Sequence, residues 1–353
     1  VIRPTPTLEE LLAAKQPDRA NALLDAKMIS NDQTNTAMRN LFADPGECVE
    51  FPYPSLDAIV GRIAPGRLVF VMANTGQGKT TLMLDTLDRW AERHVQVDYV
   101  GTEQEPEELR TKWACLRVDV PAGVAVNRQW DKYDMGEYWR EKVVEEMAKI
   151  DDAYARQVKF HPDKFVTLAK IEAAAKDAAL RGAKVLMVDH IDRVETGATD
   201  SEYLALKRIV RRLKELARDH KMVLIVASQV NRKSREGDRL AAYRPPQLHH
   251  MQGAATKEHE ADVVLGVWRP IRQRKGSETP KEFSALLKAA RAGDTAPLDV
   301  VDSNVMAVVC LKHRTENHEG MRCKLSLYHG RLTDLSERDR WTTAGGIARE
   351  VIR

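Results

Sequence analysis

Four cysteines in 353 residues, Cys48, Cys115, Cys310 and Cys323, are too few and too widely spaced for a C-x-x-C metal site or a disulfide framework. Reduced, structural thiols are expected. No apolar run approaches the ~20 residues needed to span a bilayer, and Val1-Ile2-Arg3-Pro4 has none of the pattern of a signal peptide. These absences point to a cytoplasmic globular chain with no membrane role. No sign of charge dominates either: Lys plus Arg number 55 and Asp plus Glu 52, for a net charge of +3. Such a balance does not announce a nucleic-acid binder, so local clustering has to carry that signal. His249, His250, His259, His313 and His318 fall into no H-x-x-x-H or Cys/His grouping, so no metal centre is expected from them. Internal repeats and low-complexity segments are missing too.

Charge is nonetheless unevenly placed. Asn231 to Arg244 holds Arg232, Lys233, Arg235, Arg239 and Arg244 against Glu236 and Asp238, and a second basic run spans Arg269 to Lys275. On charge alone each reads equally well as a solvated loop. A stronger signal lies nearer the start. Leu68-Val69-Phe70-Val71-Met72 is strand-like, Thr81 to about Arg93 has helical periodicity, and between them stands Ala73-Asn74-Thr75-Gly76-Gln77-Gly78-Lys79-Thr80. This is the setting of a phosphate-binding loop, with alanine where the common pattern has glycine. Gly76 and Gly78 let backbone N–H groups converge on phosphates, Lys79 reaches the β and γ oxygens, and Thr80 offers its hydroxyl to Mg²⁺. With Asn74, Thr75, Gln77 and Thr81 they form the expected nucleotide contact.

The first 50 or so residues (1–50) read as a helix from Leu8 to about Ala26, interrupted at Pro17, then polar connecting sequence to Asp44-Pro45-Gly46. An arm of this kind packs on a neighbour, either its own core or another subunit. From Phe51 onward strand-like runs alternate with helical periodicity, which predicts an α/β domain with a mostly parallel sheet over 51–335 and a tail at 336–353. The expected strands are Leu68 to Met72, Val95 to Val100, Val158 to Phe160, Val185 to Val188, Val223 to Ala227, Val263 to Val267, Val305 to Leu311 and Lys324 to Tyr328. Three apolar stripes are expected to face the core: Leu168, Ile171, Ala175 and Ala178; Leu204, Ile209, Leu213 and Leu216; and Trp139, Val143, Val144, Met147 and Ile150. Residues 276–304 read as an insertion, broken by Gly293-Asp294 and Pro297.

In parallel α/β sheets the reacting groups sit at the carboxyl ends of strands. Asp189 ends the run Val185-Leu186-Met187-Val188, the place for a carboxylate that holds Mg²⁺ and orients Thr80. Glu103 follows Val95 to Val100 and is placed to polarise a water aimed at the γ-phosphate, with Glu105, Glu107 and Glu108 as rivals. Gln229 ends Val223 to Ala227 after Ser228, where it either senses the γ-phosphate or satisfies loop backbone. Lys312 and Arg314, two apart at a strand end, read either as a transition-state clamp or as a solvated strand edge.

With these residues in order, the chain resembles the C-terminal ATPase domain of DnaB-type replicative helicases, the RecA-like core of helicase superfamily 4, over about Phe51 to Leu335. The motifs are Tyr53-Pro54-Ser55-Leu56-Asp57 with Gly61 and Pro65-Gly66-Arg67-Leu68, the phosphate loop, Gly101-Thr102-Glu103-Gln104 with Glu107-Glu108-Leu109-Arg110, and Val188-Asp189-His190-Ile191. Ser228-Gln229-Val230-Asn231-Arg232, Glu258 to Val264 and Lys312-His313-Arg314 complete them. His190 stands where the family usually has tyrosine. The resemblance implies a RecA-like P-loop fold, ATP and Mg²⁺ as cofactors, and Glu103 as the catalytic glutamate. It also implies a ring, usually of six subunits, with Arg314 and Lys312 donated into the neighbour's site. Loops near Arg193 to Ser201 and Asn231 to Gly253 would then grip single-stranded DNA, with Arg232, Lys233 and Arg235 on the phosphates. Travel would run five-prime to three-prime, with a primase or loader as a further partner. The short segment before Phe51 contrasts with the family's helical collar domain and suits a phage or mobile-element member. A RecA-like filament, or a ring ATPase of the clock type acting on protein, would share the same fold and loop.

Overall fold

A computed structural model describes residues 48–161, 166–195, 202–231, 245–251, 253–269 and 305–334. In chain order the elements are α1 (Pro54–Val60), β1 (Leu68–Ala73), α2 (Lys79–Glu92), β2 (Val97–Gly101), α3 (Pro106–Arg117), α4 (Ala122–Val126), α5 (Gly136–Ala153), β3 (Val158–His161) and α6 (Leu168–Arg181). They continue as β4 (Val185–Asp189), α7 (Glu202–Asp219), β5 (Val223–Gln229), α8 (Ala254–Glu260), β6 (Val263–Trp268), β7 (Val305–His313), β8 (Arg322–Tyr328) and β9 (Arg331–Asp334).

β1 is buried at all six positions because it runs through the middle of the sheet with cover on both faces. Its odd and even side chains serve different cores. Val69, Val71 and Ala73 pack with α1, α2 and α3, whereas Leu68, Phe70 and Met72 pack with α6 and α7. Each large side chain so buried contributes roughly 1.5–3 kcal/mol. The sheet order is β3-β2-β4-β5-β1-β6-β7-β8-β9, parallel from β3 through β6 and antiparallel from there to β9. The expected α/β architecture with a mostly parallel sheet is therefore present. After β1 the chain crosses to β2, three strands away, so a crevice opens at the carboxyl ends of β1, β5, β4 and β2.

The eight expected strands all form, with ends moved by one or two residues. A ninth, β9, has no apolar alternation to announce it. Long-range polar contacts hold it instead: Arg331 Nη1 donates to Asp88 Oδ2 at 2.5 Å, Arg89 Nη2 to the Leu332 carbonyl at 2.5 Å, and the Asp334 carboxylate accepts from Ser55. Two stripe residues turn outward. Leu204 is 54% exposed, since at 100° per residue it lies about 140° around α7 from Ile209. Val144 is 61% exposed, one step beyond the buried Val143. Cys115, Cys310 and Cys323 are buried and Cys48 is half-buried, all as free thiols. No described helix is long and apolar enough to cross a membrane. The helix expected from Leu8 to Ala26, the insertion at 276–304 and the tail at 336–353 lie outside the described residues.

Candidate nucleotide-hydrolysis site

The loop after β1 turns twice through positive φ, at Gly76 (74°) and Gly78 (102°), and delivers the chain into α2 at Lys79. These are conformations that L side chains resist, which explains glycine at both positions. The N-terminal N–H groups of α2 thus face an open cleft of about 370 Å³. Thr75, Gly76, Gly78, Lys79, Thr80 and Thr81 line it from the loop and α2, Glu103, Gln104, Asp189, His190 and Gln229 from the ends of β2, β4 and β5, and Arg269 from the end of β6. A larger groove, about 660 Å³, lies between α3 and α5, but its lining gathers no comparable set of phosphate and cation ligands.

Asn74 and Gln77 brace the loop rather than line the cleft. The Asn74 carbonyl accepts from the Gln77 N–H at 3.2 Å, and Gln77 Oε1 accepts from the Arg269 N–H at 2.6 Å. Lys79 is 8% exposed, and its ammonium donates to the carbonyls of Ala73 (3.0 Å) and Asn74 (3.5 Å). Burial holds its pKa below the ordinary lysine value, against the pull of Asp189, Asp192 and Glu103. A buried cation that donates to two neutral carbonyls suits an arriving polyphosphate.

Thr80 Oγ1 donates to Asp189 Oδ2 at 2.6 Å, and Tyr99 Oη donates to the same oxygen at 2.8 Å. The tyrosine is held well above its usual pKa by burial and by Asp189, so it stays a donor. Thr80 and Asp189 are hard oxygen ligands beside a phosphate cradle, and this set fits Mg²⁺.

Glu103 lies two residues past β2, within reach of two basic side chains: Arg193 Nε at 3.0 Å and His190 Nε2 at 3.1 Å. Burial raises its pKa, but hydrogen bonds and charge from His190 and Arg193 outweigh that and hold it below the usual carboxylate range. For His190 burial lowers the pKa, and the Asp192 and Glu103 carboxylates bring the net shift upward. Asp192 is drawn down to about 2 despite its burial, by His190, by Lys257 and by the Gln229 N–H. The Gln229 side chain meets His190, Nε2 to Nε2 at 2.9 Å, and not the loop backbone.

Lys79 and Thr80 of the phosphate loop and the strand-end residues Glu103, Asp189 and Gln229 therefore gather in one cleft. Lys312 and Arg314 do not line it. Lys312 Nζ donates to the carbonyls of Glu258 and Ala261 (the latter at 3.0 Å), and Arg314 Nη2 donates to the His259 carbonyl at 2.6 Å. Both cations thus sit at the C-terminal end of α8, where its unpaired carbonyls favour positive charge. Arg232, Lys233 and Arg235 lie outside the described residues. Tyr99, Asp192 and Lys257 carry no sequence signal of a site: the first reads as an ordinary strand residue, the others as loop and helix polars.

The family described as the DnaB-like helicase C-terminal domain matches residues 49–308. A replicative DNA helicase DnaB of Leifsonia xyli subsp. xyli is 25% identical over 256 residues, 70% of this chain and 52% of that protein. One of Buchnera aphidicola subsp. Schizaphis graminum is 21% identical over 250 residues, 67% and 50% of the two. The chain thus spans about half the length of the curated relatives it matches. Among solved structures, the isolated ATPase domain of another protein aligns with TM-score 0.65 at 18% identity, over 86% of this chain and 98% of that one. A DnaB-like replicative helicase, solved to show its interactions with primase, aligns with TM-score 0.59 at 18% identity, over 77% and 58%. With the family match running from before α1 into β7 and through every strand end that lines the cleft, the chain belongs to the DnaB-like helicase C-terminal domain family.

Proposed function

We propose that this chain is an ATP-driven DNA translocase that assembles as a ring, usually of six subunits, and unwinds duplex by moving along one strand. The convergence of Lys79, Thr80, Glu103, Asp189 and Gln229 in one cleft, without Lys312 or Arg314, carries this reading. Lys79 and the loop N–H groups hold the phosphates, Thr80 and Asp189 hold Mg²⁺, Glu103 activates water, and Gln229 reads the γ-phosphate. Among the described residues Lys79 and Arg269 are the lysine and arginine that line the cleft, and the cation for the transition state is assigned to a neighbouring subunit's Arg314, steadied by Lys312.

A forked duplex with either a five-prime or a three-prime single-stranded tail, incubated with and without ATP, tests this directly. Unwinding that needs ATP and a five-prime tail is expected; ATP hydrolysis with no strand separation on either fork overturns it in favour of a filament or protein-directed ring. Single-stranded DNA is the proposed track, and Arg232, Lys233 and Arg235 its phosphate contacts. Reversing these three charges to glutamate should weaken single-strand binding and flatten the slope of log K against log salt by about two, at ~0.7 per phosphate lost. An unchanged slope in a fluorescence-anisotropy titration moves the contact elsewhere. A primase or loader is the proposed protein partner, by analogy with the helicase solved with primase.

A further inference from the structure

We propose that His190 is the positioning residue of the hydrolysis site, setting the Glu103 carboxylate and the Gln229 amide against each other through one nitrogen. This rests on the ATPase reading above.

Glu103 stands in a bend between β2 and α3, so no regular element fixes it. A general base must be held within about 0.5 Å of its working place. Of the two donors that reach its carboxylate, the Arg193 side chain is 65% exposed and the His190 side chain 4%. His190 is also the one anchored on every side. Its N–H donates to Thr102 Oγ1 at 2.9 Å, that hydroxyl lies 2.9 Å from the His190 carbonyl, and the Thr102 N–H donates to the Asp189 carbonyl at 2.8 Å. The residue before Glu103 is thereby stitched to the residue that grips it. Across the ring, Nδ1 lies 3.3 Å from Asp192 Oδ2, a close electrostatic contact without the alignment of a hydrogen bond. Asp192 is fixed in turn by the Gln229 N–H at 2.6 Å and by Lys257 Nζ at 2.5 Å. Lys257 is fully buried and also donates to Ser228 Oγ at 2.7 Å.

His190 Nε2 is 3.1 Å from Glu103 Oε1 and 2.9 Å from the Gln229 amide. Gln229 presents its NH₂ to this nitrogen, and Nε2 either donates a proton to Glu103 or accepts one from Gln229, so the two contacts compete for it. One imidazole thus couples the base and the sensor.

His190→Phe keeps the ring volume and removes the donor; His190→Gln keeps a donor at about the position of Nε2. In the assembled protein with single-stranded DNA, the phenylalanine variant should lose about 10- to 100-fold in kcat, with KM and the Kd of a fluorescent ATP analogue within roughly twofold of wild type. The glutamine variant should recover most of the loss. His190→Phe combined with Gln229→Ala should be no slower than the worse single variant, because both break one unit. Wild-type kcat in the phenylalanine variant overturns the proposal, as does additivity in the double variant. Should the phenylalanine variant melt early, the cycle of His190→Asn, whose amide is too short to reach Glu103, with Gln229→Ala decides by the same criterion. Wild-type protein without ATPase activity would refute the function itself, an outcome separate from any of these.

Discussion

Lys79→Ala leaves the fold intact and removes hydrolysis, with kcat falling about 100- to 1,000-fold, the scale of losing one preorganised charge-stabilising donor. Both halves follow from what Lys79 touches. Its hydrogen bonds go to the Ala73 and Asn74 carbonyls, and each keeps another donor when the ammonium is gone, Val230 N–H at 3.2 Å and Gln77 N–H at 3.2 Å. No buried acceptor is orphaned, so the melting temperature should stay near that of wild type. The same truncation at Lys214 would behave differently, because that ammonium is bonded to the buried Asp262 carboxylate and to the Gly66 carbonyl. Phosphate release at saturating Mg²⁺-ATP, beside a thermal melt, checks the claim. Wild-type turnover in Lys79→Ala would mean that the loop after β1 holds no substrate phosphate.

The parts of this site that show in the sequence share one property. Asp189 directly follows an unbroken apolar run and Gln229 follows one after Ser228, and an apolar strand that stops at a polar residue marks where the sheet leaves its cover. The phosphate loop shows because its glycines, lysine and threonine are consecutive. What stays hidden depends on residues far apart in the chain. Asp85 and Asp88 lie on the inward face of α2, fully buried, where polarity alone would place them in water. They are tolerated because Arg117 and Arg331, 29 residues and more than 240 residues away, bring charge to them. Lys257 and Asp192 are 65 residues apart and reveal themselves only when α8 docks against the turn after β4. His190 shows in the sequence as a departure from the family's tyrosine, and its contact with Glu103 is a fact of packing between β2 and β4. A pattern of periods and strand ends locates the cleft; the wiring behind it is tertiary.

Arg314→Ala is the sharper case, since the residue is far from its own cleft and the expected loss is about 1,000-fold in hydrolysis by assembled protein, on the scale of an arginine finger. Within its own subunit the guanidinium contacts the His259 carbonyl and, at 3.5 Å, Asp262 Oδ1. Asp262 remains held by Lys214, by Arg67 and by the Leu68 N–H, so its truncation should be mild for stability. Nucleotide binding should also survive, because every group that lines the cleft is still present. A cis role and a trans role make the same prediction for this variant alone, and mixing separates them. Lys79→Ala subunits have a dead loop and an intact Arg314; Arg314→Ala subunits have an intact loop and no finger. If the finger acts across the interface, equal mixing places a working loop beside a working finger at about one quarter of random interfaces in a closed ring. Hydrolysis should then reappear at about that fraction of the wild-type rate from two inactive proteins. If Arg314 served its own cleft, every subunit in the mixture would carry one defect or the other, and the mixture would stay as inactive as its parts.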